Sequence, residues 1–587
     1  MHWAGDRWRL YRLAASEAGR AVRGGIAWRL AGWRLGTPTP SRLLFAPQDL
    51  RTADPTVAGD IYAGFFAFAG RSVSTGGQSP FDIDPPSRAW GEALYGFGWL
   101  RHLRAAGTAL AQANARSLVD EFIAGSRGHR RFARETHILA RRAISFMSQS
   151  PLILEGADRV FYNRFLRALG RAAQELERDA RAHPLPHRRL VAAIALCYVA
   201  LCSEGLEGPL RRATRLLVRE LDRQILPDGG HTSRNPRVLI DLLFDLLPLR
   251  QIYASRGLDV PEALLHAIDR MLPMLRLFRH GDGTLSHFNG MGVTAADQLA
   301  TLLIYDDLRS EPIHHAPHSG YERLEAGGTL LVADVGGLPP VEQAGSMGAG
   351  CLSFEMSSRA QRIVVNCGLP RHPSEGVVQA ARATAAHSTA VLGDASSARI
   401  LQPGGPWPRR RITAWLMRRL GPAAHSGPAA VTAERSERDH AQTLTASHDG
   451  YRRRFGLVHE RRWRLAADGG RLEGEDHFRP VAARAAGEDA VIRFHLAPGI
   501  KASRTQGGRV IMLVLPNREA WQFEVSPGVA QVEDSMYFAA PDGPRRSEQI
   551  VVAVNTAEHP EVRWRFDRLS RAPSPAPSRR NDTAELL

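Results

Sequence analysis

Cysteine is scarce in this chain, with four in 587 residues, and Cys197, Cys202, Cys351 and Cys367 all stand in apolar contexts. They form no CxxC pair and no disulfide-dense framework, so they read as small buried hydrophobes. Lysine is scarcer still: of the 76 Lys and Arg residues, every one but Lys501 is arginine. A skew of that kind in an Ala-rich chain reads as the composition of a G·C-rich genome before it reads as selection for guanidinium chemistry. Long apolar runs are also missing. No stretch approaches about 18 apolar residues free of charge, which argues against a transmembrane helix. Arginine recurs every few positions through residues 1–35, so no secretory signal is predicted there.

What the chain does have is hydrophobic residues, 44% of the total, over a length beyond that at which one core stops growing. Two or three domains are expected, and a wholly disordered protein is excluded. The net charge of +16 favours a polyanionic partner in general terms. The arginines are spread over every kind of segment, and no basic run is interleaved with stacking aromatics, so nucleic acid is not expected as that partner. The triplets at 409–411 and 452–454 read as solvated strand or loop faces.

Residues 1–35 wind as a basic amphipathic helix with Trp3, Trp8, Trp28 and Trp33 among arginines. Such a helix suits a strap across the protein's own body or a peripheral membrane contact. From about 90 to 310 apolar positions recur at three- and four-residue spacing, over 137–149, 159–181, 188–203, 208–226, 237–256, 260–278 and 294–306, which predicts antiparallel stacked helices. After about 315 the period changes to two, in segments such as TLLVADVG, CLSFEMSS, RIVVNCG, VIRFHLAP and VRWRFD. Many short strands without intervening helices predict antiparallel sheets, most simply a sandwich. The expected division is a basic segment at 1–40, a helical domain at 41–312, a sheet domain at 313–570 and a disordered Pro/Ser-rich tail at 571–587.

Two inter-helical loops carry the polar chemistry. In the first, PDGGHTSRNP (227–236), Gly229 and Gly230 permit a tight turn, and Ser233 or Asn235 can cap the helix starting near Pro236. His231 and Arg234 would emerge beside that helix start, an arrangement suited to an anion with a base next to it. The second, GDGTLSHFNG (281–290), offers His287 and Asn289. If the helices alternate direction, the two loops open on the same rim.

These loops, together with HSGYERLEAGGTLLVADVG (318–336), CLSFEMSSRAQRIVVNCG (351–368), RATAAHSTAVLGD (382–394) and FHLAPG (494–499), resemble the heparinase II/III family of polysaccharide lyases, in the family's order over about residues 40–570. The resemblance implies an N-terminal incomplete α/α toroid followed by a C-terminal antiparallel β-sandwich. It also implies β-elimination on a uronic-acid-containing acidic polysaccharide in the interdomain cleft, and a place in the bacterial cell envelope or periplasm. It assigns His231 as carboxylate neutraliser or base and Arg234 as carboxylate clamp; Asn235 and Asn289 on the same loops, and His318 just before the first sandwich strand, are further candidate substrate contacts by position. The family's catalytic tyrosine falls near Phe288, which cannot move a proton, leaving His287 or Tyr321 to substitute. His387 matches a surviving histidine of the sandwich.

The departures are large. Where active relatives carry H-x-H-x-D at the first core strand, this chain has Ser346, Gly348 and Gly350, and a metal-ligand aspartate becomes Asn366. One histidine and an amide make a poor zinc site, so no metal and no cofactor is expected. Either a lyase persists, or the fold serves as a non-catalytic acidic-glycan-binding or cell-envelope protein.

Overall fold

The computed structural model describes residues 3–32, 38–125, 130–306, 310–481, 487–505 and 509–570. The 571–587 tail, expected to be disordered, lies outside the described residues.

The period-3.6 segments form the helices Thr136–Ser148, Arg159–Ala182, Pro186–Leu201, Glu207–Gln224, Pro236–Ser255, Glu262–Leu277 and Ala296–Ile304. Their ends follow local chemistry. The carboxylate of Asp158 accepts from the backbone N–H of Val160 and Phe161 to start Arg159–Ala182, a cap of about 1 kcal/mol. That helix buries Phe161, Phe165, Leu169, Ala173, Leu176 and Ala180 on one stripe. Pro186–Leu201 is buried over nearly its whole circumference from Leu190 to Leu201, which places it at the centre of the helical layer. The two-residue period likewise becomes antiparallel strands, in sheets of eight and nine strands. Their inner faces enclose Phe354, Trp463, Phe494, Trp521, Trp564 and Phe566. Helical toroid followed by antiparallel sandwich is therefore the architecture.

Inside the sandwich each nitrogen of the buried Arg461 guanidinium finds an acceptor. It donates to Asp476 from Nε at 2.7 Å and Nη2 at 3.0 Å, and from Nη1 to the Leu352 and Ser388 carbonyls.

Three elements differ from expectation. Residues 409–411 open a helix, Arg409–Leu420, and 452–454 lie in a helical turn, Arg452–Phe455, where solvated strand or loop was expected. The first buries Thr413, Leu416 and Leu420 at helical spacing, a stripe masked by arginines. A hairpin of Phe65–Phe68 and Arg71–Ser74 precedes the toroid helices and was not foreseen. The N-terminal helix spans Trp3–Gly32 and lies as a strap: Leu10 enters a cluster with Leu416 and Leu420, and buried Glu17 pairs with Arg419 at 2.7 Å.

Candidate functional site

The loop before the Pro236–Ser255 helix turns sharply. Asn235 caps that helix by accepting from the Arg237 N–H, and Arg234 takes a left-handed backbone, φ +61°. That turn sends the Arg234 side chain out of the toroid into the start of the sandwich. There Nε donates to the Ser319 carbonyl at 2.7 Å, Nη1 to those of Gly336 and Gly337 at 3.0 and 2.9 Å, and Nη2 to that of Gly320 at 3.1 Å. The remaining Nη2 hydrogen meets the Asp334 carboxylate. All five N–H groups of the guanidinium are used inside the protein. A Cβ at Gly336 would lie 2.3 Å from Nη2, so only glycine leaves room for this contact.

The network closes on itself. Asn289 Nδ2 donates to Asp334 Oδ2 at 2.9 Å and to the Tyr321 hydroxyl at 2.7 Å. The Tyr321 hydroxyl donates back to the Arg234 carbonyl, and its ring centroid lies 4.9 Å from the Arg234 Cζ. Arg234, Asp334, Asn289 and Tyr321 thus form one buried ring tying two toroid loops to the strands Tyr321–Ala326 and Thr329–Asp334. Burial raises the Tyr321 hydroxyl well above its usual pKa, which keeps it a donor. Asn235 lies beside the ring, its Nδ2 donating to Ser346 Oγ at 3.2 Å.

The other expected site residues fall elsewhere. His231 is buried behind the loop, held by Ser233 Oγ at 2.8 Å and Gln224 Oε1 at 3.3 Å, and burial lowers its pKa to about 3. It is therefore a neutral structural imidazole near neutral pH, with both ring nitrogens occupied. His287 belongs to a second buried cluster: its backbone N–H and Nδ1 face Glu355 Oε1 at 3.0 and 3.2 Å, and Tyr537 lies at 3.4 Å from Nε2. Burial would raise the Glu355 carboxyl, but His287 and Arg362 beside it outweigh that and hold it well below the usual range. His280 completes the cluster through Ser357 and Ser286. His318 is exposed and enters neither cluster.

His387 donates from Nδ1 to the Ala383 carbonyl at 2.8 Å, leaving the Nε2 edge of its ring against Gly348 and Gly350. A Cβ at Gly348 would lie 2.8 Å from Nε2, and one at Gly350 2.4 Å from Cδ2. The donor set that a metal would need does not fit here. The Asn366 Oδ1 already accepts from the Ser388 N–H while its Nδ2 is a donor, and among the described residues no group of three or more His, Cys, Asp or Glu could hold an ion.

Sequence reasoning missed Asp334, Glu355 and Arg362. The available signal was a single acid inside each of two apolar strand segments, VAD and SFEM, since a buried carboxylate demands a partner.

Residues 308–565 match the family described as Heparinase II/III-like, C-terminal. Over 583 residues, covering 93% of this chain and 97% of the relative, the sequence is 30% identical to FtsZ-localized protein C of Caulobacter vibrioides. Among solved structures the chain is similar in fold to heparinase III, at 12% identity and a TM-score of 0.66, covering 95% of this chain and 90% of that one. It is similar also to a mutant heparan sulfate lyase from Pedobacter heparinus, at 11% identity and a TM-score of 0.61, covering 95% of this chain and 89% of that one.

Proposed function

The chain belongs to the heparinase II/III-like family, and from that premise we propose that it is a non-catalytic member, a scaffold that joins FtsZ at the membrane surface. The observation that carries this reading is the Arg234 ring. Uronate elimination needs a preorganised positive group facing the substrate carboxylate and a proton acceptor within reach of the sugar. Arg234 has no N–H left to offer, and His231 is sealed behind it with both nitrogens bonded. The near full-length similarity to a protein named for its FtsZ localisation supports FtsZ as the partner.

Incubation with a panel of uronic acid polysaccharides is expected to give no rise in the unsaturated-uronate absorbance, for the wild type and His231→Ala alike. The protein is expected to sediment with FtsZ polymers formed in GTP and to stay in solution with FtsZ held in GDP. Turnover of any polyuronate that His231→Ala or Arg234→Lys abolishes would instead establish the lyase acting on an acidic polysaccharide.

The membrane part of the reading rests on the N-terminal helix. Opposite the face fixed by Leu10 and Glu17 runs an exposed stripe of Trp8, Arg12, Ala15, Gly19, Val22 and Ile26, with Trp8 71%, Val22 63% and Ile26 55% exposed. The neighbouring Arg409–Leu420 helix adds exposed Arg410, Arg411 and Arg418, with Trp407 just before it. Aromatic and aliphatic side chains among arginines, on two helices that are otherwise anchored, suit an anionic lipid surface. Full-length protein is expected to float with phosphatidylglycerol vesicles and not with phosphatidylcholine vesicles. Val22→Glu combined with Ile26→Glu should abolish flotation without changing the melting temperature, and undiminished flotation of that variant would refute the contact.

A further inference from the structure

Outside the interdomain clusters, the toroid contains a cavity of about 370 Å³ between the helices Ala109–Ala124, Thr136–Ser148 and Arg159–Ala182. Its walls are mostly apolar, including Phe122, Leu139, Phe146 and Leu169, and Arg134, Arg171 and Glu175 also line it. One cation, Arg142, sits in the wall at 6% exposure. Its Nη1 donates to the carbonyls of Tyr95 and Ala133 at 2.9 and 3.0 Å, and its Cζ lies 4.7 Å from the Phe122 ring centroid. Among the described residues no acceptor engages its Nε or Nη2, and no carboxylate forms an ion pair with it. Glu175 is held by Arg134 at 2.7 Å.

Buried Arg234, Arg362 and Arg461 each meet a carboxylate, Asp334, Glu355 and Asp476 respectively. Buried Arg382 meets none, but its Nε, Nη1 and Nη2 donate to the carbonyls of Met347, Pro422 and Ala344, whereas Arg142 leaves Nε and Nη2 open to the cavity. A buried charge without an ion-pair partner is costly, and burial, only partly offset by the charge of Glu175, lowers the Arg142 pKa to about 10. The two unused donors, Nε and Nη2, are the pair that forms the side-on fork of a guanidinium, matched to the two oxygens of a carboxylate. Glu175 in the same lining disfavours a ligand of higher negative charge.

We propose that this cavity binds a small amphiphilic carboxylate, its carboxyl group accepting from Nε and Nη2 of Arg142 and its linear apolar body lying against Phe122, Leu139, Phe146 and Leu169. The site is independent of the role assigned to the interdomain ring. Calorimetric titration of the full chain with sodium decanoate and, in parallel, with 1-decanol tests it. Decanoate should bind about tenfold or more tightly than decanol, the worth of a hydrogen-bonded charge. Arg142→Met should remove that preference while the folded state persists by circular dichroism, and Arg142→Gln, which keeps a donor for the carbonyls without the charge, should do the same. Equal affinity for the acid and the alcohol, no binding of decanoate, or an unchanged decanoate affinity in either variant overturns the proposal.

Discussion

Arg234→Met is expected to lower the stability of the protein by roughly 3–5 kcal/mol, the cost of removing one partner of a buried ion pair. The methionine would leave the Asp334 carboxylate buried with Asn289 and the Gly336 N–H as its hydrogen-bond partners, and would strand the carbonyls of Ser319, Gly336 and Gly337, that of Gly320 keeping the Val335 N–H. Because those groups belong to the sandwich and Arg234 to the toroid, the damage falls on the junction. Denaturant unfolding followed by tryptophan fluorescence and by far-ultraviolet circular dichroism should show one transition in the wild type resolving into two in the variant. Arg234→Lys, with three donors for five acceptors, should fall between. A wild-type unfolding midpoint in Arg234→Met would mean that the side chain is not an interdomain lock.

Acid is expected to unfold the protein in two stages, beginning well above the range where carboxylates titrate. His231 and His495 are held by burial at pKa values of about 3, and His183 and His187 at about 4, against about 6.5 in an unfolded chain. A histidine depressed in the folded state takes up its proton on unfolding. It therefore costs nothing above about pH 6.5 and destabilises progressively as the pH falls through that value. Each fully buried one contributes a slope of about 1.4 kcal/mol per pH unit until its folded value is reached. Below about pH 4.5 a second loss begins. Burial works against the charged forms of Glu355 and Asp476, but His287 and Arg362 on one side, and Arg461 and His459 on the other, hold both well below the carboxylate range. The stability they confer is present above the unfolded carboxyl values and disappears as the pH falls toward the folded ones. Urea midpoints at pH 7.5, 6.0 and 5.0 test the first stage. They should fall steadily, and His231→Gln should flatten the slope. A midpoint constant over that range would show that these histidines are not held neutral.

The helices and strands were readable because they are periodic. The segment 159–181 was expected as a helix and Arg159–Ala182 is one; TLLVADVG and VIRFHLAP became the strands Thr329–Asp334 and Asp489–Leu496. The Arg409–Leu420 helix was not read because its arginines hide an apolar stripe of only three buried positions. The site was legible only as residue types. The shared rim suggested His231 facing His287 and Asn289, but His231 turns to Ser233 and Gln224, His287 to Glu355, and it is Arg234 that joins Asn289 through Asp334 and Tyr321. That Arg234 turns its guanidinium onto Asp334, a hundred residues away, depends on a positive φ and a bare Gly336, and neither has a periodic signature.

The packing of His387 against Gly348 and Gly350 couples three positions. The imidazole lies where side chains at 348 and 350 would stand. A histidine introduced at 348 or an aspartate at 350 would bring its Cβ to within 2.8 or 2.4 Å of that ring, so either single substitution is disfavoured by sterics before it can supply any chemistry. A new donor set can be built here only by changing 387 together with 348 or 350, so the three positions behave as one unit under substitution.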